Sequence, residues 1–375
     1  MSTRISFLKV FTVVIVALLS ILVLSLNHTL RVPSIFDGKL YTQLEIKKAQ
    51  KPFYIPEAAI DLPPLSNWAD SSIAQQYGYI DLLLKNSNTT SFLVLRNDTL
   101  IFKRYLNGVK EGDVTQLFSV TKVFVTAMAG IAVKEKYFES VEDPVTKYLK
   151  KLQEQEFNKL TLLQLMQMQS GLNYDEYGQW YKTLAFYYEP NLTNAIQHAK
   201  FIKQPGTEYK YKSIDTQILG ECINAAIGKH KKITDYFYDE IWNKIGAQDS
   251  ASWSLDSKIH RSPKYYGGLN MSARDLAKFG MMVAHNGKFK NKQVLPKNWF
   301  HYCDNTLHRS SEEEKYCMGW YYAHDDDSSN VYYAAGFGGQ IMLINETKNV
   351  IVIRLGTDRG GVSWYSMMKK LSEII

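Results

Sequence analysis

Ser119 and Lys122 stand three residues apart in Gln116-Leu117-Phe118-Ser119-Val120-Thr121-Lys122-Val123-Phe124. On a helix that spacing puts both side chains on one face, about one turn apart. A serine hydroxyl beside an amine is a nucleophile beside its base, provided the amine is held out of water with a lowered pKa. The residues that follow favour that condition. Val123 to Val133 is apolar on nearly every face, which predicts a buried helix, and a lysine there is costly unless something polar uses it. Ser-x-x-Lys also occurs at Ser6/Lys9 and Ser366/Lys369. The first abuts a membrane-length apolar run and the second lies on a short amphipathic pattern near the C-terminus. Neither leads into a buried helix.

Two further stretches carry residues that could join this pair. In Pro205-Gly206-Thr207-Glu208-Tyr209-Lys210-Tyr211-Lys212-Ser213 the Pro-Gly gives a turn. Tyr211 and Ser213 point the same way if the segment is extended. A phenol near an ammonium is stabilised as phenolate, so Tyr211 is a candidate proton relay for Ser119. In Tyr332-Tyr333-Ala334-Ala335-Gly336-Phe337-Gly338-Gly339-Gln340 the glycines let a strand backbone approach a ligand. Its N–H groups, in the Gly338/Gly339 region, are candidates to hold an oxyanion. Taken alone, the first stretch is equally a surface loop in a chain with 25 tyrosines, and the second a bulge or tight turn.

The elements that must position these residues follow from the rest of the chain. At 375 residues and 45% hydrophobic content it can bury a full core, as one large domain or two intimate ones. A net charge of +7, spread over scattered lysines and short pairs, gives no basic stripe, and no nucleic-acid partner is expected. Three cysteines exclude a disulfide scaffold, although Cys303 and Cys317 flank a polar loop and can be bridged in an exported chain. No Cys/His spacing matches a zinc site, and no Gly-x-Ser-x-Gly elbow is present.

Residues 10–26 contain no charge. With Phe7 and Leu8 the run approaches the ~20 residues needed to cross a bilayer. Arg4 and Lys9 on its N-terminal side predict a cytoplasmic N-terminus and an exported remainder. A cleaved signal peptide is the competing reading, but an Ala-x-Ala-like site is not evident near Ser25 to Thr29. Residues 27–74, with five prolines and no sustained periodicity, are expected to form an extended stalk lying against the catalytic domain. Ser91 to Leu95 and Thr99 to Tyr105 form a predicted hairpin around Asn97-Asp98. Residues 140–255 are mostly helical in pattern, and Leu269 to His285 reads as one more helix. Strands follow at Val331 to Ala335, Gln340 to Asn345 and Val350 to Leu355, before a closing helix from Ser363 to Ile374. Strands at both ends around a helical middle predict an α+β arrangement.

The ordered set Ser119-x-x-Lys122, Tyr211-x-Ser213 and a Gly-rich strand resembles the serine β-lactamase and penicillin-binding superfamily. It is most similar to the class C-like branch of esterases, D-aminopeptidases and 6-aminohexanoate-oligomer hydrolases. Leu160-Thr161-Leu162-Leu163-Gln164-Leu165-Met166 leading to Ser170-Gly171 looks like that branch. So does Tyr266-Gly267-Gly268-Leu269 leading to Ala273-Arg274-Asp275-Leu276-Ala277. The resemblance covers about residues 75–375. It implies an antiparallel sheet flanked by helices, a helical lobe, and a site between them.

The roles it implies are Ser119 as nucleophile, Lys122 and Tyr211 as proton acceptors, and Ser213, Gly338 and Gly339 at the substrate and oxyanion. It implies no metal and no organic cofactor. The substrate is then a small-molecule or peptide ester or amide, and the chain a membrane-anchored, exported hydrolase. The alternatives are a non-catalytic penicillin-binding-like sensor or scaffold, or a D-amino-acid peptidase or β-lactamase. Two departures bear on the last. Ser213 stands where β-lactamases of this class usually carry Asn, and Ala335-Gly336-Phe337 stands where a Lys-Thr-Gly triad is usual. The missing cation commonly holds a β-lactam carboxylate, unless Arg354 or Arg359 replaces it.

Overall fold

The computed structural model describes residues 32–174, 176, 180–228, 231–297, 299, 303, 314–323 and 330–375. The apolar run 10–26, expected as an anchor, and most of the loop after Cys303 lie outside the described residues. Among those described, no helix is long and apolar enough to cross a membrane.

In chain order the strands are β1 (Gln43–Ile46), β2 (Thr89–Arg96), β3 (Thr99–Tyr105), β4 (Thr115–Gln116), β5 (Ala251–Ser254) and β6 (Leu269–Met271). They continue with β7 (Lys288–Phe289), β8 (Lys292–Gln293), β9 (Glu314–Cys317), β10 (Trp320–Ala323), β11 (Val331–Gly336), β12 (Gln340–Asn345) and β13 (Val350–Gly356). Seven of them form an antiparallel sheet in the order β3-β2-β13-β12-β11-β10-β9. Both chain ends therefore meet in one sheet, with β2 paired to β13. This is the α+β arrangement expected from strands at both ends of the sequence.

The sheet is apolar on both faces, and the period of two sorts its residues cleanly. Leu93, Leu95, Ile351, Ile353 and Met342 face a core shared with the helices Thr121–Lys134 and Ala273–Ala284. Phe92, Val94, Val350, Val352 and Leu343 face the other way, onto Trp364, Met367, Met368 and Leu371 of the closing helix Trp364–Ile374. Burying both faces leaves the strand ends free to carry the site.

A smaller sheet, in the order β1-β5-β6-β4, runs beneath the Ser119 segment. Within the segment expected as an extended stalk, β1 pairs with β5 in register Gln43 to Ser254 and Ile46 to Ala251. Ile35, Ile46, Ala49 and Ile55 enter the main core. Apolar residues scattered among prolines carry no helical or alternating period, yet each finds a place against the domain. The expectation of one helix from Leu269 to His285 is corrected. Leu269–Met271 pairs with β5 and β4, and Ser272 accepts a hydrogen bond from the Asp275 N–H, so the helix starts at Ala273.

Between the sheets lies the helical lobe, where the helix Ser213–Ile227 packs on Thr121–Lys134. Cys303 and Cys317 are bridged, with their Cα atoms 5.5 Å apart, and Cys222 is free and buried.

Candidate active site

Ser119 occupies a single 3₁₀ turn, Phe118–Val120, that runs directly into the helix Thr121–Lys134. Phe118, just before it, has φ of 48°. A bulky residue in the left-handed region costs about 1–3 kcal/mol and persists only where packing imposes it. The Phe118 ring is held edge-on to Phe337 at 5.5 Å and against Tyr187 at 6.0 Å. The sharp turn lifts Ser119 out of the core and into the wall of a cavity of about 320 Å³.

Lys122 lies one turn further on and is buried. Its Nζ stands 3.1 Å from Ser119 Oγ, 3.2 Å from Ser213 Oγ and 2.9 Å from the Tyr266 carbonyl oxygen. Burial pushes the ammonium down to about 8, against the pull of Glu176 and Asp215. At that value a useful fraction of the amine is neutral near pH 7, as a base requires. Its residual charge also lies over the Tyr211 ring, 4.9 Å from the centroid.

Tyr211 and Ser213 both line the cavity. They flank Lys212, whose backbone is extended and caps the helix Ser213–Ile227. The Tyr211 ring is fixed by Tyr316, edge-on at 5.6 Å, and by Tyr321, stacked at 6.4 Å. The structure thus brings Ser119, Lys122, Tyr211 and Ser213 to one place.

Gly338 and Gly339, expected as oxyanion donors, are not among the residues that line the cavity. The cavity is lined instead by Ala335, Gly336 and Phe337. A Cβ on Gly336 would lie 2.5 Å from the Leu117 carbonyl oxygen and 3.2 Å from the Ser119 nitrogen. Only glycine allows β11 this close to Ser119. Beyond Gly336 the chain turns away, and the Gly338 and Gly339 carbonyls both accept hydrogen bonds from Arg354 Nη1 at 2.9 Å. Arg354 also donates to Thr89 Oγ1 and to the carbonyls of Ser87 and Asp358. It is a buried structural strut. Arg359 is exposed and lines the cavity.

Several residues at the site were not singled out by the sequence. Glu176 lines the cavity and its Oε1 accepts from the Ser213 N–H. Tyr174, Leu184, Phe186 and Tyr187, from the same stretch of chain, line the cavity with it. Asp215 is fully buried, accepts from the Ser170 N–H at 3.4 Å and is pushed up to about 7 by burial. It links the Ser170-Gly171 motif to the Ser213 helix. Tyr266 belongs to the Tyr-Gly-Gly-Leu motif, but its carbonyl bond to Lys122 needed the fold to become visible.

Comparison with known proteins places this geometry. The beta-lactamase family model matches residues 83–364. A 6-aminohexanoate-dimer hydrolase from Paenarthrobacter ureafaciens is 23% identical over 240 residues, 61% of this chain. The chain spans 60% of the length of that curated relative. A Bacillus anthracis protein described as a 6-aminohexanoate-dimer hydrolase superimposes with a TM-score of 0.76 at 22% identity, covering 90% of this chain and 91% of its own. A class C beta-lactamase variant superimposes with a TM-score of 0.60 at 14% identity, over 81% of this chain and 97% of its own. The chain belongs to the beta-lactamase family, with the mixed helix and antiparallel-sheet fold of these neighbours.

Proposed function

We propose that this member of the beta-lactamase family is an exported, membrane-anchored serine hydrolase that opens an ester or amide through an acyl-enzyme on Ser119. The observation that carries the reading is the 3.1 Å approach of Ser119 Oγ to a buried Lys122 whose pKa is pushed down to about 8. Neutral Lys122 takes the Ser119 proton as Oγ attacks the carbonyl. The oxyanion forms against the backbone N–H of Ser119 and of the Gly336–Phe337 turn. Tyr211, held over Lys122, passes the proton to the leaving alcohol or amine. Water then enters by the same route in reverse, and the carboxylic acid leaves.

Among the described residues, the cavity lining carries one carboxylate, Glu176, and one guanidinium, Arg359. A linear amide with an ammonium at one end and a carboxylate at the other suits that lining, as does the name of the Paenarthrobacter relative. Export rests on the uncharged run 10–26 behind Arg4 and Lys9, and the Cys303–Cys317 bridge suits an oxidising compartment.

The test is to purify the full chain in detergent, label it with a fluorophosphonate, and profile short-chain esters, linear ω-amino-acid amides, D-amino-acid peptides and β-lactams. Labelling at Ser119 with ester or amide turnover is expected. A chain that neither labels nor turns over any of the four classes would instead be a non-catalytic binder. For export, N-terminal sequencing is expected to find residues 1–26 retained, and protease added outside the cell to degrade the domain.

A further inference from the structure

A second lysine is buried next to the site without facing the cavity. Lys264 is fully buried. Its Nζ donates to the Tyr187 carbonyl at 2.5 Å and reaches Tyr266 Oη at 3.5 Å. It lies 4.5 Å from the ring centre of Tyr41, 5.4 Å from that of Tyr187 and 5.9 Å from that of Tyr266. Tyr187 and Tyr266 each turn another part of themselves to the cavity, and the Tyr266 carbonyl receives the catalytic Lys122.

The segment preceding β1 completes this cluster. Tyr41 Oη donates to the same Tyr187 carbonyl at 3.3 Å. Asp37, also fully buried, accepts from the hydroxyls of Tyr187 at 3.3 Å and Tyr188 at 3.4 Å. Pro33, four residues before Asp37, lines the cavity itself. Burying a carboxylate and an ammonium is costly unless they organise their surroundings. Here both converge on one tyrosine of the substrate wall.

We propose that Lys264, together with Asp37 and Tyr41, is a positioning residue that pins the Tyr187–Tyr266 wall, so that residues 33–41 are an integral part of the substrate pocket. The proposal rests on the Ser119 cavity being the catalytic site. It assigns the cluster to substrate binding and leaves the acyl-transfer step to Ser119, Lys122 and Tyr211.

Lys264 is also placed to make binding respond to pH. Burial pushes it down to about 7, against the carboxylates of Asp256, Glu189 and Asp37. The hydroxyls around it are those of Tyr41, Tyr187 and Tyr266. Asp256 is committed to the N–H groups of Leu192, Ser257 and Ser262, and Glu189 to that of Asn191. As pH rises through about 7 the ammonium loses its charge, the grip on the Tyr187 carbonyl weakens, and KM for an uncharged ester rises.

The experiment measures kcat and KM for an uncharged p-nitrophenyl ester from pH 5.5 to 9, alongside fluorophosphonate labelling of Ser119. Lys264→Met is expected to raise KM about tenfold at pH 6, the worth of one charge-assisted hydrogen bond, with kcat changed much less and Ser119 still labelled. Lys264→Arg, charged throughout, is expected to remove the rise of KM near pH 7. Tyr41→Phe keeps the ring, loses one bond to the wall and raises KM about threefold, which tests the cluster even where Lys264→Met does not fold. An unchanged KM in Tyr41→Phe together with a wild-type pH profile in Lys264→Arg overturns the proposal. Absence of Ser119 labelling in the wild type overturns the underlying site and the proposal with it.

Discussion

Lys122 Nζ lies 2.9 Å from the Tyr266 carbonyl oxygen and 3.1 Å from Ser119 Oγ. The carbonyl can only accept, so it takes one amine hydrogen and leaves the nitrogen lone pair of the neutral form free to accept from the serine. In the proposed mechanism the fraction of neutral amine sets the acylation rate. With Lys122 near 8, about a tenth of it is neutral at pH 7 and most of it at pH 9. We expect kcat for an uncharged ester to rise about tenfold per pH unit below that value and to level off above it. Glu176 and Asp215 both hold this lysine up. Removing one charge by Glu176→Gln lowers it further, and the rising limb moves to lower pH. A limb that stays in place or moves upward would show that Glu176 does not face the amine.

Ser119→Ala removes the proposed nucleophile at the end of a turn whose packing does not use its hydroxyl. Phe118 and Val120 carry the buried contacts on either side. The expected result is loss of turnover by a factor of at least ~10³, loss of fluorophosphonate labelling, and a melting temperature close to wild type. Retention of wild-type kcat/KM would remove Ser119 from the mechanism.

How far the site was legible follows from where its parts sit along the chain. Ser119 and Lys122 are three residues apart on one helix, and Tyr211 and Ser213 two apart on one extended step, so local periodicity places each pair. Glu176 reaches Ser213 from a loop 37 residues earlier, and no period connects them. β1 is hidden because four residues carry too short a period to read and its partner, β5, lies some 200 residues away. β6 was read as helix because Leu269 and Met271 fit either pattern over three residues, and only the pairing with β4 and β5 decides it. The glycine stretch offers three glycines for one role. The register of Gly336 opposite Gln340 fixes which of them meets Ser119.

Two arginines stood as candidates for the missing motif cation, and the fold separates them. Arg354 donates to four carbonyls and a hydroxyl and is buried beneath Trp364, its guanidinium 4.9 Å from the ring centre. Arg354→Met strands these acceptors and is expected to cost on the order of 3–5 kcal/mol in denaturant unfolding. Arg359→Ala, at an exposed position on the cavity, is expected to stay within about 0.5 kcal/mol of wild type. It should raise KM several-fold for substrates bearing a carboxylate while leaving uncharged esters unaffected. An equal effect on both substrate types would mean that Arg359 does not read substrate charge. Without a cation built into the motif itself, uncharged esters are expected to react faster than β-lactams. A β-lactam kcat/KM equal to or above that for the esters would show that Arg359 fully supplies it.

The last expectation separates chemistry from conformation within one glycine-rich turn. Gly336 has φ of −133° and ψ of 164°, a backbone that alanine adopts without strain. Its constraint is purely one of space. The added methyl would stand 2.5 Å from the Leu117 carbonyl oxygen and 3.2 Å from the Ser119 nitrogen, and both neighbours are backbone with no flexible end to swing aside. To restore ordinary contact, β11 or the Ser119 turn must retreat by a large fraction of an ångström. A shift approaching 1 Å in the reacting geometry costs about 100-fold, so Gly336→Ala is expected to lower kcat by roughly two orders of magnitude, with an overpacking cost of about 1–3 kcal/mol. Gly338 presents the opposite case. Its φ is 72°, and an added methyl would meet Gln340 Nε2 at 3.0 Å and the carbonyls of Thr357 and Gly356 at 3.3 and 3.4 Å, all away from Ser119. Gly338→Ala is expected to cost about 1–2 kcal/mol of stability for the left-handed backbone and to leave most of kcat intact. Steady-state kinetics and thermal melts on the two variants decide the matter. If Gly338→Ala loses more turnover than Gly336→Ala, the oxyanion donors belong to Gly338 and Gly339 after all.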